Sequence, residues 1–179
     1  AIPAYYFCRD RKIIKFLICV FAAFLFHRSA LILLLMYPVF HMRIKKPSQL
    51  LLLLPPIALV FTFKTQIFSF LLNFSGDVYY SRYASEFHET GAGSVLLLLT
   101  VLTMISFALP ASELLNDNDI GLRNILVLAS VLQIFAGVHS IAMRMNYYFL
   151  LFVPIAVARC LKQCDRNKKF ADLALISCI

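Results

Sequence analysis

Charge is scarce in this chain. Of 179 residues, 17 are Lys or Arg and nine are Asp or Glu, together 15%, against about a quarter in soluble domains. Glycine is thin as well, with five residues. Gly91-Ala92-Gly93 is the one place where two stand close together, and it reads as a turn rather than a phosphate cradle. The sequence holds no nucleophile elbow, no metal-spaced His/Cys set, no regular repeat and no long heptad seam. These absences exclude the common soluble-enzyme classes. The five cysteines (Cys8, Cys19, Cys160, Cys164, Cys178) form no disulfide framework. Cys160 and Cys164 share a helical face beside a basic tail, but zinc needs two more ligands and no histidine is near. They read as reduced, inert thiols on the cytoplasmic side, and neither a metal nor a cofactor is expected.

What the chain has is hydrocarbon. Sixty-one per cent of its residues are hydrophobic and its mean hydropathy is +0.83. A water-soluble globule of this size needs more polar cover than that, so the class is integral membrane protein. Disorder and nucleic-acid binding fail on the same arithmetic, and the formal net charge of +8 is read first as membrane topology. The chain opens on Ala1 and its first apolar run lacks a small-residue cleavage site, so a piece of a longer or processed protein is expected rather than a signal peptide.

Charged residues divide the sequence into apolar runs: Phe16 to Phe26, Ala30 to Phe40, Leu50 to Phe74, Val95 to Leu109, Ile125 to Met143 and Tyr147 to Ala158. Some are short of the roughly 20 residues a spanning helix needs, and tilt or snorkelling flanks accommodate them. With the N-terminus inside and turns at His27-Arg28 and Arg144, six spans place thirteen of the 17 basic residues, Arg123 among them, on the inner side. The predicted architecture is an all-α, polytopic transmembrane bundle in one domain, residues 1–179. An outer-face loop is expected over 75–94 and a basic cytoplasmic tail over 159–179.

The four remaining cations are Arg28, Lys64, Arg82 and Arg144, and the three arginines stand beside His or Tyr. Tyr79, Arg82, Tyr83 and Glu86 share a face if the outer loop is helical. Arginine grips phosphate oxygens bidentately, tyrosine offers a flat face to a sugar ring, and histidine or glutamate takes a proton from a hydroxyl. The set suits a lipid-linked phosphosugar. Each residue also has a plainer reading, tyrosines as interfacial anchors and arginines as snorkelling helix ends. His139 reads as a satisfied buried histidine, Lys64 as a snorkelling cation, and Glu113, Asp117 and Asp119 as a solvated loop.

Two segments carry a resemblance. Phe24-Leu25-Phe26-His27-Arg28-Ser29-Ala30-Leu31-Ile32 resembles the FH-[KR]-S/T-A-L-I segment of the EpsG-like, Wzy-type polysaccharide polymerases. Arg144-Met145-Asn146-Tyr147-Tyr148-Phe149, followed by Pro154, is similar to that family's R-x-x-Y-Y-F…P segment. The match runs from about Arg11 to Lys169 and corresponds to the later half of a full member. The initial spans and an aromatic-rich closing segment are missing, so an incomplete or inactive copy is among the expectations.

The resemblance implies a GT-C-like, metal-independent glycosyltransferase without a cofactor. It would join oligosaccharide repeat units carried on undecaprenyl pyrophosphate into capsule, exopolysaccharide or O-antigen, at the outer face of the bacterial cytoplasmic membrane. His27, Arg28, Arg144 and Tyr148 are the matched positions. The resulting expectation is that His27, Arg28 and Arg144 are catalytic and that Tyr147 and Tyr148 bind substrate; Arg82, Tyr83, Glu86 and His88, whose roles rest on their own chemistry and not on the resemblance, are expected to bind substrate as well. The expected partners are the lipid-linked oligosaccharide, membrane lipids, and chain-length regulator and flippase proteins; nucleic acid is not one. The rival expectations are a flippase-like transporter of the same lipid-linked sugar and a non-catalytic membrane subunit.

Overall fold

The computed structural model describes residues 1–44, 48–49, 54–67, 70, 93–108, 116–136 and 140–164. Among these residues the regular elements are all helical: α1 (Ile2–Arg9), α2 (Ile13–Phe26), a 3-10 helix (Arg28–Leu35), α3 (Met36–His41), α4 (Leu54–Thr62), α5 (Gly93–Ala108), α6 (Asp117–Ala136), α7 (Ser140–Leu150) and α8 (Val153–Cys164).

The first helix begins with Pro3, tolerated in an opening turn because the missing N–H would find no intrahelical partner. It ends in a Schellman arrangement. The Arg11 N–H donates to the Cys8 carbonyl (3.0 Å) and the Lys12 N–H to the Phe7 carbonyl (2.9 Å). This closure puts Arg11 in the left-handed region at φ 57°. Apolar α2 then runs to His27, whose extended backbone (φ −151°, ψ 111°) stops it. The chain turns back as the 3-10 helix, eight residues long, where runs beyond three or four are uncommon. Its three-residue turn stacks every third side chain. Ala30, Leu33 and Met36 are buried in one line, while Arg28, Leu31 and Leu34 form an exposed one. The sequence reading of a hairpin broken at His27-Arg28 matches this arrangement.

The central element is α6. Asn116 Oδ1 accepts from the Asp119 N–H (2.9 Å) as its N-cap, and Asp117 and Asp119 in its first turn complement the helix dipole. It is surrounded by α3, α5, α7 and α8. Gly121 allows α3 to come close, since a Cβ there would lie 2.5 Å from the Phe40 ring. Tyr5, Phe40 and Phe152 gather around that contact, with ring centroids 5.0 and 5.8 Å from Tyr5.

The bundle exposes large apolar side chains and buries several polar ones beside its apolar core. Phe26 is 93% exposed, and Ile14, Phe21, Leu25, Leu97 and Met104 are also exposed, a surface suited to hydrocarbon rather than water. Inside lie Asp119, Arg123, Asn124, Gln133 and Asn146. Among the described residues α6 is the one helix long and apolar enough to cross a bilayer alone; α2, the 3-10/α3 pair and α5 are shorter apolar pieces.

Three local expectations are corrected. Arg144 does not stand at a turn: it lies inside α7, which packs against α6. Tyr147 to Ala158 is not one helix, because α7 ends at Leu150 and α8 starts at Val153; a Pro154 ring inside a continuous helix would strike the carbonyl four residues earlier. Arg123 and Asp119 are not loop charges but buried residues of α6, 1% and 3% exposed. Of the expected outer-face loop, 93–94 instead open α5, while 75–92, Glu113, His139 and the tail beyond Cys164 lie outside the described residues, as do the side chains of Cys160 and Cys164.

Candidate functional site

The helix directions sort the charged residues between two ends of the bundle. At one end the Tyr5 hydroxyl donates to Asn118 Oδ1 (2.8 Å), and His41 Nε2 lies 3.0 Å from the Cys8 carbonyl. Arg159 approaches Asp119 at 3.8 Å. Beside them Asn124 Nδ2 donates to the carbonyls of Val39 and Met42 (3.1 and 2.6 Å), capping the end of α3. Arg123 donates to the Ile44 carbonyl while its guanidinium lies 3.9 Å from the centre of the Phe107 ring. Arg9, Arg11, Lys12 and Arg43 are exposed at this same end. Asp10 takes a hydrogen bond from Arg9 and lies near Lys12, and the Arg9 bond holds its carboxyl below the usual range.

At the far end stand the residues singled out by the two sequence segments. The turn from α2 into the 3-10 helix carries His27 and Arg28, both exposed. The 3-10 helix packs against α7, through a core that joins Ala30 and Leu33 to Phe149. Arg144 is exposed in the second turn of α7, Tyr147 is 53% exposed, and Tyr148 is half-buried against the core. The fold therefore brings His27 and Arg28 to the same end as Arg144, on elements in contact. Arg82, Tyr83, Glu86 and His88 lie outside the described residues. Lys64 is half-buried, its ammonium 5.0 Å over the Phe61 ring.

Sequence reasoning missed what lies beneath this face. Asn146 is fully buried; its Nδ2 donates to the Ala129 carbonyl (3.0 Å) and to Gln133 Oε1 (2.8 Å). A signal existed, since amide side chains within apolar runs are expensive in a bilayer and seldom idle. The long 3-10 helix had no comparable mark, because its three-residue period shows only once the path of the chain is known.

A groove of about 210 Å³ lies between α4, α5 and α6, lined by Ile57, Leu96, Thr100, Thr103, Val127 and Ser130 with their neighbours. Its hydroxyls are turned away from the opening. Thr100, Thr103 and Ser130 donate to carbonyls of their own helices (2.8, 2.7 and 3.0 Å), and Thr103 and Ser130 meet at 2.9 Å. The wall is thus hydrocarbon despite three polar residues, and larger than the ~150 Å³ apolar cavity that admits benzene.

No curated protein and no solved structure matches the chain. The two sequence segments, which the fold brings to one end, are those that carried the resemblance, and the EpsG family model matches residues 1–179 throughout: the chain belongs to the EpsG family.

Proposed function

We propose that this chain is a polymerase of lipid-linked oligosaccharide repeat units, a multi-pass protein working at the outer face of the bacterial cytoplasmic membrane. Family membership ties it to exopolysaccharide polymerisation. The observation that supports the finer reading is that His27-Arg28, at the start of the 3-10 helix, and α7, which packs against that helix and bears Arg144, Tyr147 and Tyr148, stand at one end, opposite Arg9–Lys12 and Arg43. With the basic end inside, the far end faces out.

In this reading an acceptor sugar hydroxyl attacks the anomeric carbon of the donor. The bond from that carbon to the pyrophosphate oxygen breaks, and a glycosidic bond forms with inversion. His27 takes the hydroxyl proton. Arg28 and Arg144 hold the pyrophosphate that departs on its lipid and stabilise its developing charge without a metal. Tyr147 and Tyr148 orient sugar rings. Arg82, Tyr83, Glu86 and His88 are retained as substrate contacts from the outer loop. The dry α4–α5–α6 groove supports a hydrocarbon-tailed substrate, since it offers an isoprenoid chain a wall without exposed donors.

The test is polymer formation by the full chain in membranes supplied with a lipid-linked repeat unit. Arg144→Ala and Arg28→Ala should each slow extension by about 10²–10³-fold, the usual cost of one charge-stabilising donor, and Arg144→Lys should recover part. Undiminished long chains from Arg144→Ala would refute the assignment. Transport of the repeat unit without glycosidic bond formation would favour a flippase instead.

A further inference from the structure

We propose that the buried Asn146–Gln133 pair is a positioning device that fixes the rotation and depth of α7, and through it the placement of Arg144, Tyr147 and Tyr148. The inference rests on the polymerase reading for its activity readout and on geometry alone for its structural one.

At about 100° per residue, Arg144 and Tyr148 lie within about 40° of one another, on the side of α7 opposite Asn146. Phe149 follows Asn146 by three positions and shares its inward face, and both are fully buried. Phe149 alone would not fix the helix, because apolar contacts are non-directional and tolerate sliding. The Asn146 amide is directional. It is held at two points on α6, the Ala129 carbonyl at 3.0 Å and Gln133 Oε1 at 2.8 Å. These acceptors come from residues one helical turn apart, so a slide or a one-residue rotation of α7 breaks both bonds. Ala129 is fully buried, and its small side chain lets α7 approach closely enough for a side-chain amide to reach the backbone.

The pair is a poor choice for stability alone. Asn146 Oδ1 and Gln133 Nε2 are buried and find no hydrogen-bond partner among the described residues. An apolar pair of similar volume would leave nothing unsatisfied and would hold two helices together at least as well. What it would not supply is a unique register, the best-attested use of buried polar pairs between helices.

That contrast supplies the experiment. The double variant Asn146→Leu/Gln133→Leu of the full chain should insert and resist unfolding as well as the parent or better, yet extend polymer about 10–100-fold more slowly, the scale of an ångström-level misplacement. The loss should fall on the rate at saturating repeat unit more than on its half-saturating concentration. The swapped pair Asn146→Gln/Gln133→Asn, which keeps an amide on each helix, should recover part of the activity. In parallel, cysteines placed at 144 and at 147, with the native cysteines replaced, report accessibility to a membrane-impermeant maleimide without any need for catalysis. Their labelling rates should shift in the Leu/Leu background and return towards the parent's in the swapped one. Parent-like activity and labelling in the Leu/Leu variant would overturn the proposal. Shifted labelling in a chain that never polymerises would uphold the positioning role and reject the polymerase reading.

Discussion

The contact of α6 with α3 turns on a single missing methyl group. Gly121 sits inside α6, where replacing glycine by alanine ordinarily stabilises a helix by about 0.8–1 kcal/mol. Here the new Cβ would lie 2.5 Å from two atoms of the Phe40 ring and 2.7 Å from a third. That ring is 4% exposed and is held by Tyr5, so it has little room to withdraw. Overpacking of this kind costs about 1–3 kcal/mol and should outweigh the helix gain. Gly121→Ala is therefore expected to destabilise the chain by up to about 2 kcal/mol. Phe40→Val deletes the three crowding atoms, at its own large-to-small cost of up to about 3–5 kcal/mol. In that background the sign should reverse, and Gly121→Ala should stabilise by about 1 kcal/mol. SDS-titrated unfolding followed by helical circular dichroism measures all four corners of the cycle. Stabilisation by Gly121→Ala in the parent, or additivity across the cycle, would show that the helices do not meet ring against glycine.

Two further predictions concern the first helix and its closing turn. Arg11 holds a left-handed backbone that costs a non-glycine residue about 1–2 kcal/mol, so Arg11→Gly should raise stability, after the added freedom of the unfolded chain is subtracted, by about 0.5–1 kcal/mol in the same titration; a loss would mean that the Arg11 side chain contributes more than its backbone costs. Burial pushes the Cys8 thiol up to about 12: because the folded state keeps its proton longer than the unfolded one, stability should be full below about pH 9 and fall as pH rises from there towards 12. Cys8→Ala should remove that part of the slope, and Cys8 alkylation in the folded chain should be slow at neutral pH; rapid alkylation would contradict the burial.

Much of the helix framework was legible as interruption. His27-Arg28 divides two apolar runs, and the chain turns there because the extended backbone at His27 ends α2. Val95 to Leu109 corresponds to α5, described over Gly93–Ala108. Errors arose where a charge was taken for a break. Arg144 divides two apolar runs in the sequence, yet a guanidinium on an exposed face does not stop a helix, whereas Pro154 marks the break between α7 and α8. Arg123 was counted with the inner loops because its acceptor, the Ile44 carbonyl, is 79 positions away, and no local pattern announces such a bond. The helix α1 carries no such mark, because eight residues that end in Arg9 and are followed by the exposed charges Asp10, Arg11 and Lys12 resemble a flank until Tyr5 and Cys8 are seen buried.

Withdrawing Arg123 from the inner set changes what the remaining charges mean. Its guanidinium is matched inside the protein to a carbonyl and an aromatic face, so it adds nothing to the exposed charge of that end. The asymmetry then rests on exposed cations alone: Arg9, Arg11, Lys12, Lys15, Arg43 and Arg159 crowd one end, while Arg28 and Arg144 stand at the other. An anion arriving at the far end is separated from the crowded one by the length of α6, about 30 Å at 1.5 Å per residue. That is several Debye lengths at physiological salt. Attraction there must come from the cations of that end and not from the net charge of the chain. Neutralising Arg28 or Arg144 should therefore weaken binding of a pyrophosphate headgroup far more than neutralising any two cations of the other end, although the change in net charge is smaller.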